Sequence, residues 1–265
     1  MTIKQIFLDM DGTLLNEQGT VSDDNRRTVA DSVCSVTLVS ARAPMEMQAT
    51  IQQLALTAPQ IAFNGGLIFD PQTRKTLVHH ALDPKLSSNI LTILAQKFPQ
   101  VSVSCYDQAD WYVERVDGGI LHEQALTRQT PIVIQQTLAQ FAQTHSLFKL
   151  MLIVDDTQTM QALKCQLDQF TGVINCQQAG NHYLEITSLR AQKAQGIMTL
   201  LESSELTLAE AAAFGDGHND LPMLKVVGRS IAMGNAAPEV KAASQFVTLS
   251  NEDDGVAYGI KHYLD

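Results

Sequence analysis

The amino-acid sequence predicts an α/β fold in which a doubly wound parallel sheet is interrupted by an inserted α+β domain. Three observations predict it. Near both ends of the chain short apolar runs alternate with helical stretches, each run gives way to a polar or glycine-bearing loop, and between about 82 and 185 the alternation stops. Strands covered on both faces by crossover helices read as continuous apolar runs, and ligands collect in the loops at their carboxyl ends.

Taken in order, Ile6-Phe7-Leu8 is the first strand, ended by Asp9. Residues 22–33 form a helix begun by Ser22, a residue type suited to an N-cap. Val36-Thr37-Leu38-Val39 is a second buried strand that stops at Ser40-Ala41-Arg42. A helix over 44–55 opens on Pro44, which a first turn tolerates, and Ile61-Ala62-Phe63 is a third strand ending at Asn64-Gly65-Gly66. The middle of the chain carries an amphipathic helix over about 84–97, strands at 101–104, 111–113 and 149–154, a helix near 157–169, and hairpin-like edges at Val173 and 183–186. Alternation resumes with a helix near 191–203, a fourth buried strand at 211–214, a helix from Pro222 and a strand over 230–233. The core is therefore expected to comprise residues 1–82 and 187–265, with 83–186 inserted as a cap and hinges near Leu82-Asp83-Pro84 and Thr187-Ser188.

With 265 residues, 45% of them hydrophobic, the chain can bury a full-sized core. Its net charge of -10 argues against nucleic acid and against anionic membrane surfaces, both of which need clustered Lys and Arg. A small soluble molecule is the expected partner, and an anionic one would need a local positive site or a bound cation. Cys34, Cys105, Cys165 and Cys176 form no Cys-x-x-Cys pair and read as reduced thiols. No signal-like apolar segment follows the N-terminus, and no run approaches the roughly 18 apolar residues of a membrane span, so a cytoplasmic protein is expected. The sequence leaves the oligomeric state open.

Four sites carry the chemistry. Asp9-Met10-Asp11-Gly12-Thr13 places two carboxylates two residues apart at a strand end, where their side chains point the same way. One could attack a phosphorus atom while the other exchanges protons with the leaving oxygen; the alternative is a solvated Asp-Gly turn. Gly215-Asp216-Gly217-His218-Asn219-Asp220 comes directly after another apolar run. Magnesium takes hard oxygen ligands and keeps several waters, so Asp9 and Asp216 could hold it if their strands are neighbours. His218 has no second histidine at metal-ligand spacing and reads as a loop residue. Ser40 with Arg42, and Lys193 near a helix start, could stabilise negative charge on a transferring phosphoryl group, although each alone is an ordinary residue.

In this order the four sites resemble the haloacid dehalogenase superfamily, and within it the Cof-type branch of metabolite phosphatases. Asp-x-Asp-Gly-Thr stands intact at Asp9 to Thr13, and Gly-Asp-x-x-Asn-Asp at Gly215 to Asp220, continued by Leu221-Pro222-Met223-Leu224. Ile231-Ala232-Met233-Gly234-Asn235-Ala236 and Asp254-Gly255-Val256-Ala257 resemble the branch's C-terminal segment, and Asn64-Gly65-Gly66 its Asn-Gly-Ala turn. Two motifs depart. The usual Thr-Gly-Arg is Ser40-Ala41-Arg42, which gives up glycine's freedom at positive φ, and the approach to Lys193 reads Ser188-Leu189-Arg190-Ala191-Gln192.

The resemblance implies a Rossmann-like core with a substrate-selecting cap, a magnesium ion, and hydrolysis of a small phosphorylated metabolite through an aspartyl-phosphate. It implies Asp9 as nucleophile and metal ligand, and Asp11 as general acid and base and as a ligand through its backbone carbonyl. Asp216 would complete the metal ligands. The Met10 amide, Ser40, the Ala41 amide, Lys193 and Asn219 would contact the phosphoryl group, with Arg42 supporting and Asp220 orienting Lys193 or a metal-bound water. The alternatives are a phosphomutase or phosphotransferase of the same superfamily, and a non-catalytic metabolite-binding protein. Trp111, Tyr112, Glu114, Asn181, His182 and Tyr183 are cap residues that could meet substrate or simply pack the cap.

Overall fold

The structure, a computed structural model, describes residues 2–264. The chain divides into two compact units, one made of Met1–Arg42, Met47–Val78 and Gln192–Asp265, the other of Ala43–Glu46 and His79–Ala191.

The first unit opens with β1 (Gln5–Leu8), α1 (Asp23–Asp31), β2 (Ser35–Leu38), α2 (Pro44–Gln53), β3 (Gln60–Ala62), β4 (Leu67–Phe69) and β5 (Thr76–His79). Ser22 caps α1 by accepting a hydrogen bond from Asn25 N at 3.2 Å. The second unit supplies α3 (Pro84–Lys97), β6 (Ser102–Tyr106), β7 (Trp111–Val113), α4 (Gly118–Thr127), β8 (Ile132–Val133), α5 (Leu138–Ala142), β9 (Lys149–Ile153), α6 (Thr157–Leu167), β10 (Ile174–Ala179) and β11 (Tyr183–Ser188). The chain then returns with α7 (Lys193–Ser203), β12 (Ala211–Gly215), α8 (Leu221–Val226), β13 (Arg229–Ala232), α9 (Pro238–Ala243), β14 (Phe246–Val247) and α10 (Gly255–Tyr263).

The first unit holds a five-stranded parallel sheet in the order β14-β13-β12-β1-β2. A parallel bridge between Val39 and Ile61, with Ser40 N donating to Ile61 O at 3.0 Å, carries it on toward β3. Every residue of β1 and of β12 is buried, as expected of strands covered on both faces. Strand register sets which loops become neighbours. Leu8 stands opposite Phe214 on one side and Leu38 on the other, so the segments that follow β1, β12 and β2, beginning at Asp9, Asp216 and Val39, lie side by side at the sheet's carboxyl edge. Fully buried Phe7 and Phe214 anchor the two central strands, each contributing about 1.5–3 kcal/mol of burial.

The second unit is a six-stranded mixed sheet, β10-β11-β9-β6-β7-β8. Period-two alternation sorts its faces. Cys105, Leu150, Leu152, Leu184 and Ile186 join a cluster with Leu91 and Leu94 of α3, Phe141 of α5 and Leu163 of α6. Ser104, Tyr106, Lys149, Met151 and Glu185 occupy the other face.

Some local expectations are corrected. The hairpin expected near 173 and 183–186 forms between β10 and β11, but β11 is not an edge, because it is flanked by β9 and β10, and Val173 lies just outside β10 and is 55% exposed. The helix expected from 191 starts at Lys193. The β4–β5 pair, α4, α5 and β8 carry no clear periodicity in the sequence. Helices α4 and α5 are set by side-chain caps instead: Asp117 accepts from Ile120 N at 3.1 Å, and Thr137 from Gln140 N at 3.2 Å.

Candidate active site

Parallel register makes the site. Asp9 comes directly after β1 and its amide donates to Phe214 O at 3.1 Å, which locks it beside β12. Asp216 comes directly after β12, and Lys193 is the first residue of α7. These side chains meet although 184 residues separate Asp9 from Lys193.

Lys193 Nζ lies 2.6 Å from Asp9 Oδ1 and 2.6 Å from Asp220 Oδ1, with its side chain 1% exposed. Burial by itself would push its pKa down; Asp220 and Asp9 outweigh burial, and the pKa is raised, so the ammonium is held charged. The Asp9 carboxyl is pushed well up, first by burial and then by the Asp220 charge, with Lys193 pulling back. Burial also lifts Asp216 to about 6, against a hydrogen bond from Thr13 Oγ1 at 2.8 Å. The result is a pocket of anionic groups with one lysine among them, short of positive charge.

Such a site suits a hard dication. Ligand oxygens of Asp9, Asp216 and Asp220 all lie within 4.8 Å of one another. Asp220 is already committed, because its Oδ1 takes Lys193 and its Oδ2 accepts from the Asp216 and Gly217 amides at 3.0 Å each. Asp9 Oδ2 and Asp216 Oδ2 accept no hydrogen bond among the described residues. Two carboxylates from separate loops, with raised pKa values that a cation would relieve, fit the donor set magnesium prefers.

The other predicted residues fall around this centre. Met10 is buried, and its carbonyl accepts from Thr13 N at 3.3 Å and Leu15 N at 2.8 Å, closing the loop that carries Asp11. The Asp11 side chain stands apart from the carboxylate cluster and pairs with Arg42. Ser40 is 1% exposed, and its Oγ accepts from Arg42 N at 3.1 Å. Ala41 is not among the residues with positive φ, so alanine replaces glycine there without strain. Asn219 folds over Gly217, where an added Cβ would sit 2.3 Å from Asn219 Oδ1.

Three further features of the site lie in motifs visible in the sequence, which gave their residues no role. Thr13 is one, through its bond to Asp216. Asn235 Nδ2 donates to Gly12 O at 2.8 Å, tying the C-terminal segment to the first loop. Phe63, Asn64 and Gly65 have φ of 51°, 56° and 99°, and the Phe63 and Asn64 amides donate to Arg42 O and Ser40 O at 3.0 and 2.8 Å. An added Cβ at Gly65 would fall 2.4 Å from Gln192 O, so this turn also braces the entry to Lys193. The glycine pair is visible in the sequence; the contacts it makes are not.

Comparison with known proteins accords with this geometry. The profile of the haloacid dehalogenase-like hydrolases matches residues 6–260. The chain belongs to that family. A putative phosphatase of Haemophilus influenzae is 30% identical over 262 residues, covering 97% of each chain. A Bacillus subtilis enzyme named 5-amino-6-(5-phospho-D-ribitylamino)uracil phosphatase is 29% identical and covers 99% of this chain and 98% of its own. Among solved structures, a haloacid dehalogenase-like hydrolase of Bacteroides thetaiotaomicron superposes with a TM-score of 0.89 at 28% identity over 98% of both chains. Both of these relatives are named as phosphatases, and this chain is a phosphoric monoester hydrolase. Among the described residues no helix is long and apolar enough to cross a membrane.

Proposed function

We propose that this family member hydrolyses a small phosphorylated metabolite with magnesium, through a phosphoaspartate on Asp9. One observation carries the reading: Asp9 is a buried carboxylate clamped by Lys193 at 2.6 Å, with its second oxygen accepting no hydrogen bond among the described residues. A carboxylate fixed on a rigid strand, its lysine counter-ion in place, is preorganised for in-line attack. In the first step Asp9 bonds to phosphorus as the ester P–O bond breaks, and protonated Asp11 delivers its proton to the departing oxygen. In the second, water bonds to phosphorus as the Asp9–phosphorus bond breaks, and Asp11 takes the water's proton.

Asp9 and Asp216 would hold the magnesium ion, which when bound neutralises charge on the phosphoryl oxygens. Lys193 contributes positive charge from the protein side, and Asp220 keeps its ammonium oriented. Ser40 and the Ala41 and Met10 amides supply donors for the phosphoryl group. The second unit would act as the cap that chooses the leaving group.

The test is phosphate release from aryl phosphates, sugar phosphates and polyol phosphates. Release should need magnesium, stop with chelator, and resume when the metal is restored. Asp9→Asn should lower turnover by a factor on the order of 10⁴ or more, as removal of a covalent nucleophile does. Turnover without a sugar bisphosphate activator separates a phosphatase from a phosphomutase. Equal activity of wild type and Asp9→Asn would end the proposal.

A further inference from the structure

Asp11 is not poised for proton transfer. Its Oδ2 accepts from Arg42 Nε at 2.8 Å and its Oδ1 from Arg42 Nη2 at 2.5 Å, the two parallel bonds of a planar guanidinium fork. A carboxylate with both oxygens engaged can neither give a proton to a leaving group nor take one from water until at least one bond opens.

The main chains beneath this pair are fixed. Behind Asp11, Gly12 has φ of 77°, and a Cβ there would lie 2.4 Å from Asp216 Oδ2, so the loop is closed against β12. The Arg42 amide donates to Ser40 Oγ at 3.1 Å, and its carbonyl accepts from Phe63 N at 3.0 Å. Phe63 holds φ of 51°, a left-handed conformation costly for a bulky residue and retained where the surroundings over-determine it. Only side-chain torsions remain free to move. Both side chains are partly open to solvent, 29% for Arg42 and 60% for Asp11, so screening keeps the pair weak enough to exchange partners.

We propose that Arg42 is a positioning residue that parks Asp11 in the substrate-free enzyme and releases it when an anionic phosphoryl ester arrives. Phosphoryl oxygens offer the guanidinium the same two-pronged geometry as a carboxylate, so substrate competes directly for the fork. Release frees Asp11 to take up a proton from water and pass it to the departing oxygen only when a substrate is bound. The inference rests on the phosphatase reading, and it makes Arg42 a contact for the phosphoryl group as well as a restraint on Asp11.

The experiment compares wild type, Arg42→Ala and Arg42→Lys, matched by thermal melting, on a series of aryl and alkyl phosphates of rising leaving-group pKa. Loss of a charged hydrogen-bonding partner should raise KM about tenfold or more in Arg42→Ala, with partial recovery in Arg42→Lys. Because Arg42 has left Asp11 before chemistry, the dependence of kcat on leaving-group pKa should stay near wild type, whatever kcat itself loses with the phosphoryl contact. A kcat that collapses with a steeper leaving-group dependence would mean Arg42 orients Asp11 throughout, and an unchanged KM would mean it never meets substrate; either overturns the proposal. A crystal structure with magnesium and inorganic phosphate judges it independently: Arg42 should be bonded to phosphate, and Arg42 still forked onto Asp11 overturns it. Should wild type release no phosphate from any ester, the phosphatase reading has failed, and that structure alone decides whether Arg42 exchanges partners.

Discussion

Among the described residues two lysines are buried, one in each unit, and their surroundings differ. Lys193 is wedged between Asp9 and Asp220 at 2.6 Å each, and Asp220's other oxygen is tied to two backbone amides. Lys149 lies 3.4 Å from Glu185 Oε1 and 4.8 Å from the centroid of the Tyr106 ring. Burial opposes its charge, but Glu185, Glu46 and Glu123 hold it raised. On the same sheet face the hydroxyls of Ser104, Tyr106 and Tyr183 and the indole nitrogen of Trp111 are buried and make no hydrogen bond among the described residues. Tyr183 and Glu123 influence each other's protonation, yet the hydroxyl does not reach hydrogen-bond geometry. The first lysine is held between two carboxylates, one of them tied to backbone amides, and such fixed charges are what a preorganised reaction centre requires. The second shares its face with four buried polar groups that make no hydrogen bond among the described residues, and recognition of a hydroxyl-rich or amine-bearing molecule would use such groups.

Between the two lysines, the larger effect comes from removing the one that two carboxylates share. Lys193→Met should cut turnover on the order of 10²–10³-fold and lower stability by about 3–5 kcal/mol, because two buried carboxylates lose their common cation. Steady-state kinetics with a denaturant melt would reveal it, and a mild effect on both would equate the two lysines. Lys149→Met should be gentler, costing about 1–3 kcal/mol, since Glu185 keeps some access to solvent. With an aryl phosphate its turnover should stay within about threefold of wild type, while kcat/KM for polyol phosphates should fall about tenfold. An equal loss on both substrate types would remove Lys149 from substrate selection.

Smaller again is a pH effect at Glu123. Burial comes first among the causes that raise its pKa above the usual 4.5, so its charged form is disfavoured in the folded protein. Its native state therefore binds the proton more tightly than the unfolded chain does. Any stability it contributes is present below the unfolded value and is lost as pH rises through the folded one. Glu123→Gln should accordingly melt higher than wild type at pH 7, and the gain should disappear below about pH 4.5. A variant that melts lower at pH 7 would show that Lys149 depends on this carboxylate. The smallest change is Ala41→Gly, which relieves no positive φ and should lower stability by about 0.5–1 kcal/mol through added freedom in the unfolded chain, read as a shift in Tm.

The two units also differ in how far the sequence could be read. In the first, strands buried on both faces are unbroken apolar runs such as Ala211-Ala212-Ala213-Phe214, so both strand type and strand ends stand out, and the functional residues lie where the runs stop. In the second, sheet faces are mixed, and strand order rests on pairings that no local pattern records. That is why residues 183–186 looked like an edge and α4 and α5 were not seen.

By itself the sequence determined that the chain is α/β with an interrupted core, and that two carboxylates, a hydroxyl, a lysine and a glycine-acid loop sit at strand ends and a helix start. Periodicity and loop chemistry are local, so they survive in the order of residues. Only the tertiary structure decided that Asp220 is committed to Lys193 and two amides, that Asp11 is forked onto Arg42, and that four buried polar groups share the Lys149 face. Hydrogen bonds between groups distant in the chain depend on sheet register and side-chain torsion, and neither is written in the neighbours of a residue.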